Sequence, residues 1–495
     1  MSEKYIIGID QSTQGTKAIL LDRTGGIAGK TYLPHEQIVN EQGWVSHDPE
    51  EIFRNTVQTV KMLIGQTAVD PKDVAAIGIS NQRETTLAWE RETGEPVGHA
   101  VVWQCARAKE IAAEADEEFA ALVCERTGIP FSPYFPAAKA AWILRSHPRA
   151  RELAEADGLC IGTVDAWLIW KLTGGNVFRT DFSNASRTQL FDLHTLRWNE
   201  EICAGLGIPV AALPEVTDSD GDYGATTLDG FFEEPVPIRG VLGDSHAALF
   251  GQGCIRPGMA KATYGTGSSV MMNIGPAFRR STHGLVTSLA WGRSGRVDYV
   301  LEGNINYSGA IITWLKEIGL LRDPAESGTL AEQANPADTT YLVPAFSGLG
   351  APYWNSEARA AFVGMSRTTG RAELVRAGLE AMAYQAADIA EAMGEDAGLA
   401  LEELRVDGGP TANRFLMQFQ SDMLRASIRV SEVEELSAVG AAVMAGIAAG
   451  VMDESILSIG RTRAVYSPRM DDETRERKIS GWKEAVQSIL EGERS

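Results

Sequence analysis

Hydrophobic residues in this chain follow two rhythms. Short apolar runs of strand length break off in polar, glycine-containing clusters, and longer stretches repeat their apolar positions at helical spacing. The opening stretch, Ile6 to Asp22 (IIGIDQSTQGTKAILLD), states the theme. An apolar run ends at Asp10, the small and hydroxylated residues Ser12, Thr13, Gly15 and Thr16 follow, and Lys17 leads into a second apolar run. That order predicts strand, tight turn, strand. Gly15 lets backbone N–H groups approach a ligand, the hydroxyls and Lys17 add donors, and Asp10 is placed to hold a metal through water, so a phosphate group fits the turn. Taken alone, the stretch is equally an ordinary polar hairpin.

A third extended piece is predicted around Ile27 to Leu33. A helix follows that starts at Asp48 and Pro49, with acids in its first turn. VAAIGIS reads as a buried strand that delivers Asn81 to Thr86 at its C-terminal end, before a further strand, LAWE. Three strands, a helix and another strand are the order of a ribonuclease-H-like layer, a mixed sheet with helices on it. From Pro96 to Thr180 the pattern turns mostly helical, an insertion riding on this sheet. VPIRGVLGDSHAALFGQGC is then a strand ending at Asp244 and a small-residue helix, where the chain crosses to its second half.

That half repeats the opening. MAKATYGTGSSVMMNIG is again strand, turn, strand, with Gly265, Thr266 and Gly267 at the turn. A long amphipathic helix is predicted from RAELVRAGLEAMAYQAADIAEAMGEDAG, and ELRVDGGPTANRFLMQFQSDML reads as strand, Gly-Gly turn, helix. The tail after Tyr466 is expected to be a charged, peripheral helix.

Length supports this division, because 495 residues exceed what one hydrophobic core serves. Two α/β domains, 1–250 with the insertion at about 96–180 and 251–495, are expected with a cleft between them. A formal net charge of -21 excludes a broad nucleic-acid footprint and attraction to an anionic bilayer, so an anionic ligand needs a local basic patch. No run is long and apolar enough for membrane insertion, and no secretory leader is read at the start, so cytoplasmic residence is expected. The 5 cysteines are dispersed without a CxxC pair and the 7 histidines form no HExxH, which leaves a divalent cation held by carboxylate and phosphate as the metal to expect.

Three glycine turns, at Asp10 to Lys17, at Gly265 to Gly267 and at Asp407 to Asn413, each follow a strand and each suit close backbone approach to a phosphate or a flat ring. Each alone is weak; their order is not. With ISNQRETT, VVWQCAR, GTVDAWLIWKLTG, DFSNASRT, PAFSGLGAPYW and RVDGGPTANRFLMQFQSD, the chain resembles the FGGY carbohydrate kinases from about Tyr5 to about Gly450, most closely the members that act on glycerol. The resemblance implies two ribonuclease-H-like domains of the actin/hexokinase superfamily, with ATP, Mg2+ and a small polyol or sugar meeting in the cleft.

Carried over by residue, it implies phosphate binding at Thr13, Gln14, Gly15, Lys17, Gly265 and Thr266, magnesium at Asp10, and base and ribose near Gly309, Thr313, Gly409 and Asn413. Thr313 stands where a glutamine is usual. It assigns the substrate to Arg83, Glu84, Trp103, Tyr134 and Asp244, with Asp244 as base. The residue types suit this: Arg83 and Glu84 are a donor and an acceptor for adjacent hydroxyls, and Trp103 offers an apolar face. An ion pair and a core aromatic are the plainer readings of those residues.

Three departures matter. Asp244-Ser245-His246 replaces an Asp-Gln-Gln run, Ser269 replaces an aromatic ring, and Phe232-Glu233-Glu234-Pro235 replaces the Gly-Gly-Thr-Arg loop of members controlled by fructose 1,6-bisphosphate. Ser245 and Ser269 are expected to enlarge the pocket and make it more polar, and His246 is either a further substrate contact or structural. Glycerol or a similar short polyol is the expected substrate, a pentulose of the xylulose or ribulose type the alternative, and an actin-like ATPase switch a third reading. Oligomeric state is left open, dimer or tetramer included.

Overall fold

The computed structural model describes residues 3–458 and 461–492; the expected domain spans also include residues 1–2, 459–460 and 493–495, which lie outside the described residues. The first sheet contains β1 (Tyr5–Gln11), β2 (Gly15–Asp22), β3 (Ile27–Pro34), β4 (Val74–Asn81) and β5 (Val236–Gly243), in the order β5-β4-β1-β2-β3, with Ala225–Thr226 on the outer edge of β5. β5, β4 and β1 run parallel, while β2 and β3 turn back antiparallel. Ile7, Ile9, Ile77 and Ile79 are fully buried on this sheet. Helix α1 (Pro49–Thr67) covers one face with Ile52, Val57, Val60 and Leu63, and the Asp48 carboxylate caps its start by accepting the Glu50 N–H at 2.9 Å.

Helix α2 (Asp244–Gly251) starts directly at the end of β5. The second sheet contains β6 (Met259–Tyr264), β7 (Ser268–Gly275), β8 (Val286–Arg293), β9 (Arg296–Ile305), β10 (Glu403–Gly408), β11 (Ser427–Ser431) and β12 (Thr462–Tyr466), ordered β8-β9-β7-β6-β10-β11-β12. Helices α3 (Gly309–Glu317), α4 (Arg371–Ala397), α5 (Arg414–Leu424), α6 (Leu436–Ala448) and α7 (Asp472–Gly492) complete this half.

Although α6 follows the second sheet in sequence, it packs on the first. Gly8, Gly78 and Gly240 face one another on β1, β4 and β5. A Cβ on them would lie 2.3, 2.1 and 2.6 Å from carbonyl oxygens of Ala438 or Ala441, so this glycine row admits the helix backbone itself. The alanine-rich sequence of α6 is the matching surface.

Two expectations change in detail. The segment 96–180 is mostly helical but also contributes strands Ala100–Val101 and Leu159–Thr163, which join Thr86–Glu90 in a separate five-stranded sheet. The tail is less peripheral than its charge implies. Trp482 is buried on α4, stacked on Tyr384 at 5.1 Å, and its indole N–H donates to Asp388 at 2.8 Å.

Candidate active site

Register brings the first group of predicted residues to one edge. Asp10 on β1 faces Ser80 on β4, and Asn81 faces both Gln11 and Gly243. Three parallel strands therefore end level, delivering the turn after Asp10, the loop Gln82 to Thr85, and Asp244. Gln82 ties the first two together: its backbone N–H donates to the Gln11 carbonyl at 2.6 Å and its side-chain amide to Gln11 Oε1 at 3.1 Å. Glu84 has φ +63, left-handed backbone in a buried residue that is not glycine, a strained conformation of the kind that marks functional loops.

At the mouth of this edge lies a buried ring of charge. Arg83 donates through Nη1 and Nη2 to the two oxygens of Glu302, both at 2.9 Å, while its Nε lies 3.1 Å from Asp244 Oδ1. Arg187 pairs with Glu84 Oε1 at 2.7 Å and with Glu302 Oε2 at 2.8 Å, and Ser269 donates to Glu302 Oε1 at 3.0 Å. Burial pushes Glu302 up, but Arg187 and Arg83 outweigh it and hold the carboxyl well below its ordinary range. Arg83 and Glu302 are both buried, whereas the Asp244 side chain is 37% exposed, the one carboxylate of the three in this ring with an open face. Gly243 makes room for this: a Cβ there would sit 2.7 Å from Arg83 Cγ.

An aromatic wall stands beside the ring. Trp103 and Tyr134 meet at 5.3 Å, and the Trp103 indole N–H donates to Thr13 Oγ1 at 2.9 Å, so one side chain links the aromatic wall to the first glycine turn. Trp103 N–H also donates to Thr85 Oγ1 at 3.2 Å. Below, Lys139 is fully buried, donates to the carbonyls of Pro133 and Tyr134, and is pushed down to about 7 by burial.

The second sheet ends in the facing group. Tyr264 on β6 is level with Gly408 on β10. Gly265 O accepts the Gly309 N–H at 2.9 Å, Thr266 O accepts those of Ser308 and Ala310 at 2.9 and 3.1 Å, and a Cβ on Gly309 would lie 3.5 Å from Pro410 Cγ. The second turn, the start of α3 and the Gly409 turn thus converge. Thr266, Thr313 and Gly409 are exposed there, and a Cβ on Gly409 would meet nothing.

Two predicted residues are engaged elsewhere. Lys17 pairs with Glu435, at the start of α6, instead of standing free above the turn. Asn413 caps α5, its Oδ1 accepting the Leu416 N–H at 3.0 Å while its Nδ2 donates to Ser327 at 3.0 Å. Two departures also resolve. Ser269 is turned to Glu302 and does not add a free hydroxyl to the pocket. His246 is fully buried beside Ser288, held neutral by burial and by Arg83, so it is a structural histidine.

Asp10 tests the expected metal. Burial, and then the Asp244 carboxylate, push it up to about 6, against a 2.9 Å hydrogen bond from Ser80. Two carboxylates facing one space suit a divalent cation. No cluster of three or more His, Cys, Asp or Glu able to hold a metal occurs among the described residues, so a cation at Asp10 would draw most of its ligands from phosphate and water.

The sequence reading missed Glu302, Arg187 and Lys261. Lys261 is fully buried on β6, pushed down by burial and drawn back by Asp407 and Glu302. Each is a lone charge inside an apolar or small-residue run (YVLEGN, SNASRTQ, MAKATY), and that was the available signal.

A cleft between two actin/hexokinase-like domains, with a carboxylate on one wall and glycine turns on both, defines a kinase that phosphorylates a hydroxyl. Residues 5–251 match the N-terminal domain and residues 260–449 the C-terminal domain of the FGGY family of carbohydrate kinases; the chain belongs to that family. It is 45% identical to a glycerol kinase of Stenotrophomonas maltophilia over 494 residues, 99% of each chain. It is 46% identical to glycerol kinase 1 of Thermotoga maritima over 490 residues, 98% of this chain and 99% of that one. Its structure matches Plasmodium falciparum glycerol kinase with ADP at TM-score 0.94 and 37% identity, over 99% and 98% of the two chains. A xylulose kinase of Lactobacillus acidophilus, at TM-score 0.88 and 22% identity over 99% and 100%, shares the fold. No helix among the described residues is long and apolar enough to cross a membrane.

Proposed function

We propose that this chain phosphorylates glycerol or a similar short polyol with ATP, by direct transfer in the cleft. The observation that carries the reading is Asp244: an open carboxylate at a strand end, held 3.1 Å from an arginine that is itself clamped by the opposite domain. Asp244 accepts the proton as the substrate oxygen bonds to the terminal phosphorus and the bond to the ADP oxygen breaks. Glu84 accepts from a neighbouring hydroxyl through its second carboxylate oxygen, and Trp103 and Tyr134 cover the carbon chain. The N–H groups and hydroxyls around Thr13, Gln14, Gly15, Gly265 and Thr266 receive the phosphates, with base and ribose against Gly309, Thr313 and Gly409. Magnesium, when bound near Asp10, would neutralise charge on the phosphates. Domain closure excludes water from the phosphoryl group.

Glycerol is favoured over a pentulose because Ser269, the main argument for a wider polar pocket, is occupied by Glu302, and because identity to glycerol kinases is twice that to the xylulose kinase. Cytoplasmic residence belongs to the same proposal and is supported by five free thiols. A coupled ADP-release screen over glycerol, tetritols, pentitols and ketopentoses tests it. Turnover highest with glycerol is expected; turnover highest with a ketopentose rejects the substrate, and phosphate release indifferent to every polyol rejects the kinase in favour of an ATPase switch.

A further inference from the structure

Glu302 lies on β9 of the C-terminal half, yet its carboxylate sits among side chains of the N-terminal half. Its Oε2 accepts from Arg83 Nη1 at 2.9 Å and forms an ion pair with Arg187 Nη1 at 2.8 Å; its Oε1 accepts from Arg83 Nη2 at 2.9 Å and from Ser269 Oγ at 3.0 Å. Both oxygens are therefore filled and turned away from any substrate. Arg83, pinned through its two terminal nitrogens, meets Asp244 through Nε at 3.1 Å. A guanidinium presents its five N–H groups as a fork, and a free fork closes on a carboxylate through two bonds. Arg83 without Glu302 has such a partner within reach.

We propose that Glu302 is a positioning residue: by pinning both terminal nitrogens of Arg83 from the opposite half it holds the guanidinium in the orientation that meets Asp244 through Nε at one oxygen, leaving the rest of the Asp244 carboxylate free to take the substrate proton. The proposal rests on the kinase reading above and on Asp244 as base, and it adds a role for the opposite domain. Because the clamp joins β9 to the loop after β4, the base is correctly disposed only when the two halves are in register across the cleft. Arg187 completes the device. It bridges Glu302 to Glu84, so the same carboxylate orients the acceptor beside the substrate. Buried charge of this kind contributes little net stability when complete, which points to orientation as its use.

The test is steady-state kinetics of Glu302→Gln and Glu302→Asp, with ADP-release assays and with MgADP affinity measured separately. Glu302→Gln should lose about a hundredfold in kcat while the KM for ATP and the affinity for MgADP stay within about twofold. Glu302→Asp, which keeps the charge on a shorter stem, should recover about tenfold of that loss and stay below wild type. In an Arg83→Ala background, adding Glu302→Gln should cost less in kcat than it does alone, since part of its effect runs through Arg83. A Glu302→Gln enzyme with unchanged kcat overturns the proposal, as does equal damage to kcat and nucleotide affinity, which would mark a merely structural residue. If Glu302→Gln does not fold, Glu302→Asp decides: wild-type kcat there overturns the proposal and a loss confined to kcat supports it. Asp244→Asn, assayed alongside, separates the two levels, because near-normal turnover in that variant defeats the kinase reading itself.

Discussion

Arg83 and Glu302, 219 residues apart and on opposite halves of the chain, form a two-bond ion pair, both bonds 2.9 Å, that is closed to solvent. Removing one partner leaves an uncompensated buried charge, which costs far more than the intact pair contributes. Arg83→Ala is expected to lower unfolding free energy by roughly 3–5 kcal/mol, and removing the opposing charge as well, in Arg83→Ala, Glu302→Gln, should return part of it. Denaturant titration of the single and double variants measures both.

Asp244 is the open member of that cluster. Asp244→Asn keeps its size and its place at the start of α2 but removes the proton acceptor, so turnover should fall by about 10²–10⁴ while nucleotide affinity is retained. Single-turnover ADP formation against equilibrium binding separates the two effects.

Trp103 joins the aromatic wall to the first glycine turn through its 2.9 Å bond to Thr13. Trp103→Phe preserves an apolar face and loses the donor. One hydrogen bond of this type is worth about 1 kcal/mol, so the KM for ATP should rise about fivefold with less change in that for glycerol. The reverse pattern would detach Thr13 from the phosphates.

Acid should weaken the same turn from behind. His35 and His47 meet at 4.6 Å, and His35 holds the Thr13 carbonyl at 3.0 Å. Burial pushes His47 down to about 4. The unfolded chain, whose histidine titrates near 6.5, then binds a proton that the folded chain refuses, so stability falls as pH drops from about 6.5 towards 4, by on the order of 3 kcal/mol at the lower end. Denaturation midpoints at pH 5 and 7.5 check this. His47→Phe should flatten the difference.

Residues Phe232 to Pro235 are expected to oppose regulation by a sugar bisphosphate. Glu233 is exposed and pairs with Lys72 at 3.0 Å, so this loop offers an anion a carboxylate. Activity should be unchanged by fructose 1,6-bisphosphate from micromolar to millimolar concentration. Inhibition in that range would place a binding site elsewhere.

Much of this architecture was readable beforehand because it is local. Apolar runs ending in Asp10, Asn81, Asp244 and Gly265 announce strands that stop in polar turns at one edge of each sheet, and Asp48-Pro49 announces α1, since capping and glycine turns act over a few residues. The chain's family was legible for the same reason: its motifs are short and their order is preserved. What stayed hidden is long-range. Nothing near Glu302 in sequence says that Arg83 and Arg187 neutralise it, that Lys17 turns to Glu435, or that Ser269 is drawn off the substrate; a buried charge is tolerated only where distant segments supply its partner. The amino-acid order by itself determined the strands, the turns and the residue types that handle phosphate and hydroxyl. Folding decided which of those side chains are free to act, because the pairing of charges across the cleft depends on the register of two sheets that no local pattern encodes.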